Sequence, residues 1–257
     1  MLRDFSCEAF DILIQAGQSN AEGTAHGPVD NPWEPNDRVF YLNSDMTITQ
    51  ACERVVGNHI QSNFSLSFAR EYLGNGMLAE GRKLLILRAA VGGTGFLDNR
   101  WGMTDDLYVT MMEMIRTALS LNRENRLVAF LWHQGETDAI FGASRETHYR
   151  NLKGLLSSVR STFDASNLPF IAGDFVQHWK GDNIEISTPV VDAIRAVCAD
   201  CAPAGFVETD GLLSNSQEPW CKPEPIDDSI HFSRRAIYTL GQRYYCVRSW
   251  RRPSKYR

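Results

Sequence analysis

Phe10-Asp11-Ile12-Leu13-Ile14-Gln15-Ala16-Gly17-Gln18-Ser19-Asn20-Ala21-Glu22-Gly23 decides the fold. Its first half is an apolar run of strand length that stops at a glycine. The run is nearly continuous rather than alternating, which predicts a strand buried on both faces, as in a parallel sheet. Four further runs of the same kind follow: Arg38 to Leu42, Leu84 to Val91, Leu127 to Trp132, and Pro169 to Phe175. The run from Leu84 to Val91 ends at Gly92-Gly93, and that from Leu127 to Trp132 ends near Gly135.

Helical patterns fill the intervals. One runs from Phe64 to Leu73. Leu107, Met111, Met114, Ile115 and Ala118 line one face of another, and Asp105 and Asp106 in its first turn suit the positive end of the helix dipole. Tyr149, Leu152, Leu155, Leu156, Val159 and Phe163 mark a third, on which His148 is read as an exposed surface residue. Thr188 before Pro189 predicts a helix start, and Ser233 caps a last helix carrying Ile237, Leu240 and Tyr244. Strands alternating with helices imply right-handed βαβ units: a three-layer α/β/α sandwich around a central parallel sheet of about five strands, as one domain over residues 1–257. In such sheets ligands bind at the carboxyl ends of the strands.

Composition excludes several classes. The 257 residues are 43% hydrophobic and 22% charged, ordinary for a globular chain. A formal net charge of −5 argues against nucleic acid as partner. The basic run Arg248, Arg251, Arg252, Lys255, Arg257 reads as a solvated tail. No run approaches the roughly 18 apolar residues of a membrane helix. Met1 to Glu8 carries acids and no apolar signal-peptide core, so the expectation is a cytoplasmic chain unless a leader was trimmed. Six cysteines are present, Cys7, Cys52, Cys198, Cys201, Cys221 and Cys246. Cys198 and Cys201 form a CxxC, but a structural zinc needs a second pair. Helical spacing with Val190, Val191, Ile194 and Val197 makes them buried helix thiols.

Four unusual clusters fall at strand ends or before the last helix. Gly17-Gln18-Ser19-Asn20 places a serine on a sharp turn just past a buried strand, where it reads equally as a nucleophile or a helix N-cap. Asp227-Asp228-Ser229-Ile230-His231 spaces a carboxylate three residues from an imidazole. Such a carboxylate fixes the imidazole tautomer and frees the other nitrogen to take a hydroxyl proton. Gly92-Gly93-Thr94-Gly95 and His133-Gln134-Gly135-Glu136-Thr137-Asp138 would complete an oxyanion hole, through the Gly93 N–H and the Gln134 side-chain amide. Glu136 is either a second candidate acid for His231 or a hydrogen-bonding lock for its loop; the lock is preferred. The order Ser, Asp, His is that of α/β-hydrolases, but their GxSxG elbow is absent.

Together the four blocks resemble the SGNH hydrolases, most closely the sialate O-acetylesterase and acetylxylan esterase branch, carbohydrate esterase family 6. Gly17-Gln18-Ser19-Asn20 resembles the nucleophile block, Gly92-Gly93-Thr94 the glycine block, Gln134-Gly135-Glu136 the third block, and Asp228-Ser229-Ile230-His231 the final DxxH. The broader superfamily has Asn in the third block; this chain has Gln134, as the carbohydrate-esterase branch does. The resemblance implies a flavodoxin-like α/β/α fold, catalysis without metal or cofactor, and deacetylation of small-molecule or oligosaccharide esters. It also implies an oxyanion hole of the Ser19 N–H, the Gly93 N–H and the Gln134 side chain. Ser19 would be nucleophile, His231 base and Asp228 triad acid. The third-block glutamate has also been read as the acid in this branch, which leaves Glu136 as the alternative.

Two other classes compete. A metal-dependent hydrolase would draw on Asp227, Asp228, His231, His133 and Glu136, but no HExxH supports it. A non-catalytic carbohydrate-binding module of flavodoxin-like fold is the other. Gly74-Asn75-Gly76 superficially fits a dinucleotide fingerprint, but it follows a helix and precedes a strand, the wrong order. His59, His178, Trp101 and Trp179 are candidates to line a sugar site, with a structural role preferred for each.

Overall fold

The computed structural model describes residues 4–218 and 227–247. The basic run from Arg248 to Arg257, Met1 to Arg3 and residues 219–226, with Cys221 among them, lie outside the described residues. In chain order the strands are β1 (Ala9–Gly17), β2 (Ala25–His26), β3 (Val39–Leu42), β4 (Ile48–Gln50), β5 (Arg54–Val56), β6 (His59–Ser62), β7 (Arg82–Arg88), β8 (Arg126–His133), β9 (Phe170–Gly173) and β10 (Ala204–Val207). The helices are α1 (Ser19–Glu22), α2 (Phe64–Gly74), α3 (Asp106–Ser120), α4 (Glu136–Ile140), α5 (Arg145–Thr162), α6 (Gln177–Asp182), α7 (Ile184–Asp200) and α8 (Arg234–Cys246).

All five expected strands form, and the sheet is wider than expected. Seven strands run in the order β10-β9-β8-β1-β7-β3-β4, parallel except for the antiparallel edge β4. The two additional strands carry little periodic signal: β10 is Ala-Gly-Phe-Val, and β4 is a three-residue, largely exposed edge. A second small antiparallel sheet, β2-β6-β5, was not anticipated either.

Adjacent residues of β8 show why the sheet is buried on both sides. Trp132 packs against Phe96 and Trp101, and Phe96 in turn against His148 of α5. His133, one residue on, points the other way, to Phe64 of α2 and Tyr244 of α8. Helices α2 and α8 pack together on that second side. On the first side Tyr108 of α3 meets Ser158 of α5 at 2.6 Å, and α5 packs on α7.

Asp11, fully buried on β1, is held at the opposite end of the sheet from the glycine turns. It accepts from Arg82 (2.7 Å) and Arg126 (2.7 Å) on the flanking strands and from the Tyr72 hydroxyl (2.8 Å). Burial pushes its carboxyl up, but these partners outweigh that and hold it below the ordinary carboxylate range.

Two local expectations are corrected. His148 is buried, not exposed, because it stands four residues before Leu152 on the same stripe as Leu155 and Val159. Helix α7 starts at Ile184, not at Pro189: the Thr188 hydroxyl donates back to the Ile184 carbonyl (2.6 Å) instead of capping, and the proline falls inside the helix. Cys198 is buried on α7 as expected, and burial pushes its thiol up to about 12, which leaves it unreactive. Ser233 does cap α8, accepting from the Ala236 N–H at 3.2 Å.

Candidate active site

Strand β1 is the centre of the sheet. From it the chain passes to β3 on one side, returns through β7, and then crosses to β8 on the other. Connections therefore diverge above its carboxyl end, where α/β sheets form their crevices. The turn there requires Gly17: its φ is +131°, and a Cβ would lie 2.1 Å from the His133 carbonyl oxygen. Gln18 donates its N–H to that same oxygen (2.9 Å), and α1 begins at once with Ser19. The N-cap is Gln18, so the Ser19 hydroxyl is not used as a cap.

It is used on His231 instead. Ser19 Oγ lies 2.8 Å from His231 Nε2, and His231 Nδ1 lies 2.8 Å from Asp228 Oδ1. Residues 212 apart in sequence thus meet through one imidazole. Asp228 also accepts the His231 N–H (3.2 Å), and its Oδ2 accepts from the Asn215 amide at 2.8 Å. Burial raises the Asp228 carboxyl, yet the His231 and Asn215 hydrogen bonds hold it below its ordinary value. An ionised Asp228 makes Nδ1 the protonated nitrogen and leaves Nε2 to accept from the serine.

Asn20 joins three loops. Its side-chain N–H groups reach Glu136 Oε1 (2.9 Å) and the Ile230 carbonyl (3.0 Å), and its oxygen accepts the Phe232 N–H (3.1 Å). Glu136 is therefore tied to the nucleophile loop, and its hydrogen-bond partner is Asn20 rather than His231. The carboxyl is fully buried, and that burial raises it to about 6. Its neighbour His133 gives no relief. Tyr244 donates to the Trp132 carbonyl (2.8 Å) and so accepts from His133 Nδ1 (3.0 Å). The bare His133 Nε2 is then the atom 3.8 Å from Glu136. Burial holds His133 neutral, at about 3.

The glycine block stands beside the nucleophile. A Cβ on Gly92 would come within 3.4 Å of Ser19 Cβ, and the Gly92 N–H donates to Glu22 at the end of α1 (2.8 Å). Gly93 has φ +70°, and the N–H groups of Ser19 and Gly93 meet no acceptor among the described residues. The Gln134 amide nitrogen donates to Asp138 Oδ2 (2.9 Å) and, more weakly, to the Thr94 carbonyl (3.3 Å). Gln18 locks this third block to the first, accepting from the N–H of Gly135 (3.3 Å) and Thr137 (3.2 Å).

Asn215, Asp138 and Gln18 took no part in the site as read from the residues. Asp138 could have been noticed as the residue four after Gln134; Asn215 carries no local signal in its loop. The aromatic and histidine candidates are accounted for by packing. Trp101 is buried and donates to Thr94 Oγ1 (3.0 Å), and Trp179 packs on Phe175. His178 contacts Ser214 (3.2 Å), and exposed His59 faces the His26 ring. Among the described residues no three His, Cys, Asp or Glu are grouped to hold a metal ion.

The family model described as carbohydrate esterase, sialic acid-specific acetylesterase matches residues 9–247. A relative from Arabidopsis thaliana, "Probable carbohydrate esterase At4g34215", is 25% identical over 178 residues, which span 62% of this chain and 66% of that protein, just under two thirds. Among solved structures, that of NanS superposes with a TM-score of 0.76 at 20% identity, covering 93% of this chain and 96% of the other. The Arabidopsis structure gives 0.68 at 20% identity, over 91% and 95%. XAC1771, a carbohydrate acetylesterase from Xanthomonas citri, gives 0.56 at 14% identity, over 91% of this chain and 55% of that one. These superpositions share the α/β/α fold, while the match over 9–247 reaches from β1 to the end of α8. The chain belongs to the sialic acid-specific acetylesterase family of carbohydrate esterases, which are carboxylic ester hydrolases.

Proposed function

We propose that the protein removes O-acetyl groups from carbohydrates through a Ser19-His231-Asp228 triad and an acetyl-enzyme intermediate. The observation that carries the reading is the pair of 2.8 Å contacts through His231, from Nε2 to Ser19 and from Nδ1 to Asp228. The substrate class rests on the family and on the names of the similar proteins.

In the first half-reaction Ser19 Oγ attacks the acetyl carbonyl as its proton passes to His231 Nε2. Asp228 holds the imidazole and stabilises its charged form. The carbonyl oxygen becomes an oxyanion against the Ser19 and Gly93 N–H groups, with the Gln134 amide as third donor. The weaker Thr94 contact of Gln134 is the one exchanged for it. As the tetrahedral intermediate collapses, His231 returns the proton to the departing sugar oxygen. In the second half-reaction water attacks the acetyl-serine, His231 takes the water proton, and collapse releases acetate with the proton returned to Ser19. Glu136 has a supporting role: it keeps Asn20, and through it the Ile230-Phe232 segment, in register with Ser19.

The test is hydrolysis of p-nitrophenyl acetate, then of acetylated sialic acids and xylans, by wild type and Ser19→Ala, with a serine-reactive organophosphonate as inhibitor. The expected outcome is turnover lost in the variant and after phosphonylation, with the adduct mapped to Ser19. An active Ser19→Ala protein would refute the triad, and ester hydrolysis without action on any acetylated sugar would refute the substrate class.

A further inference from the structure

Asp138 is a buried carboxylate that the triad chemistry does not use, and it stands at the meeting point of two of the elements around the oxyanion. Its Oδ2 accepts from the Gln134 amide (2.9 Å) and the Phe96 N–H (3.1 Å), and its Oδ1 accepts the Leu97 N–H (2.8 Å). His148 Nδ1 on α5 lies 3.3 Å from Oδ2. The approach is so close that a Cβ on Gly95 would fall 2.7 Å from Asp138 Oδ1 and 3.1 Å from Gln134 Nε2. Burial raises the Asp138 carboxyl, but His148 and the two backbone N–H groups outweigh it and keep it below the ordinary range.

An ionised carboxylate can only accept. We infer that Asp138 is a positioning residue that sets the polarity of the oxyanion site: by accepting from Gln134 it forces the amide to present N–H, and by accepting from Phe96 and Leu97 it holds the loop that carries Gly93. The unpartnered state of Gln134 Oε1, which accepts from no donor among the described residues, follows from the same constraint. Without a carboxylate at 138 the amide is free to turn over, and an oxygen then faces the developing negative charge. This rests on the reading of Gln134 as an oxyanion donor.

The test is a double-mutant cycle on p-nitrophenyl acetate. Asp138→Asn keeps size and shape but can donate to Gln134 Oε1 and so invert the amide. Removing one oxyanion donor typically costs about 10²–10³ in turnover. Asp138→Asn is expected to lose about that much in kcat with KM changed by less than about threefold, since only the transition state uses the donor. Gln134→Ala should lose a similar amount, and the double variant no more than Gln134→Ala alone. Gly95→Ala perturbs the same contact from the other side with every hydrogen-bonding group kept; it should also lower kcat without raising KM, and should add nothing to Gln134→Ala. It keeps the cycle readable if Asp138→Asn fails to fold. Losses that multiply in the double variants, or a wild-type kcat in Asp138→Asn, would overturn the positioning role alone. A wild-type kcat in Gln134→Ala would overturn the oxyanion role of Gln134 and the inference with it, leaving the triad untouched.

Discussion

Replacing Glu136 by glutamine isolates the energetic consequence of burying a carboxyl beside a neutral histidine. Burial raises the Glu136 carboxyl from 4.5 to about 6. One unit corresponds to about 1.36 kcal/mol, so the shift corresponds to about 2 kcal/mol. The sign follows from proton counting. Between the unfolded and folded values the native state holds the proton more tightly, so stability falls as pH rises through that window. The destabilisation is absent below about pH 4 and complete above about pH 7. Glutamine has no charge to lose, and its oxygen can still accept from Asn20. The stability of Glu136→Gln relative to wild type should therefore rise by about 2 kcal/mol from pH 4 to pH 7.5. Its amide nitrogen would occupy the place of Oε2, which has no partner among the described residues, but that cost is independent of pH. Urea denaturation of both proteins across this range measures the difference, and the other carboxylates cancel between them. In thermal melts the same change corresponds to about 4–8 °C in relative Tm. Parallel curves for the two proteins would refute the argument, as would a relative loss of stability in the variant toward neutral pH.

Asp228→Asn keeps the shape of the proposed triad acid but removes the charge that holds the His231 tautomer; kcat for p-nitrophenyl acetate should fall on the order of 10³–10⁴, and a loss under tenfold would point to another acid. Asn215→Ala removes the amide that bonds Asp228 Oδ2 at 2.8 Å. The Asp228 carboxyl should then rise and its ionised form disappear at higher pH, so the acid limb of the kcat/KM profile should move upward and kcat fall about tenfold; an unchanged profile would exclude this role. Asp11→Ala leaves Arg82 and Arg126 without their shared buried partner and should cost about 3 kcal/mol by urea denaturation, with esterase kcat unchanged in the folded fraction. Because the Asp11 carboxyl is lowered on folding, its contribution is present above the unfolded value, about 3.9, and is lost as pH falls through the folded one, so wild type and variant should converge in acid. A gap that persists unchanged at low pH would be inconsistent with that assignment.

Much of the scaffold was legible before any coordinates. Runs such as Ile12 to Ile14 and Ala129 to Trp132 have no polar residue to turn toward solvent, so they imply a sheet covered on both faces, and both are fully buried. What escaped were elements whose residues follow no period. Strand β4 is a mostly exposed edge, β10 is four residues with a glycine inside, and β5 exposes all three of its residues. The exposed reading of His148 failed for another reason: its spacing of four from Leu152 places it on the buried face of the helix, where a histidine fits as well as an apolar residue.

Chemical type and chain position by themselves settled which residues could be serine nucleophile, base, acid and oxyanion donors, because hydroxyl, imidazole, carboxylate and amide are carried by particular side chains and glycine turns mark strand ends. They favoured Asp228 as the acid and a locking role for Glu136, with Glu136 kept as the alternative acid. Only tertiary structure separates them, since the choice is one of distance: Asp228 bonds His231 at 2.8 Å, whereas Glu136 bonds Asn20 at 2.9 Å. It alone also brings Asn215, Asn20 and Asp138 to the site. Hydrogen bonding falls away beyond about 3.5 Å, and contacts across 116 or 212 residues depend on how β1, β8 and the segment before α8 converge, which no local pattern encodes.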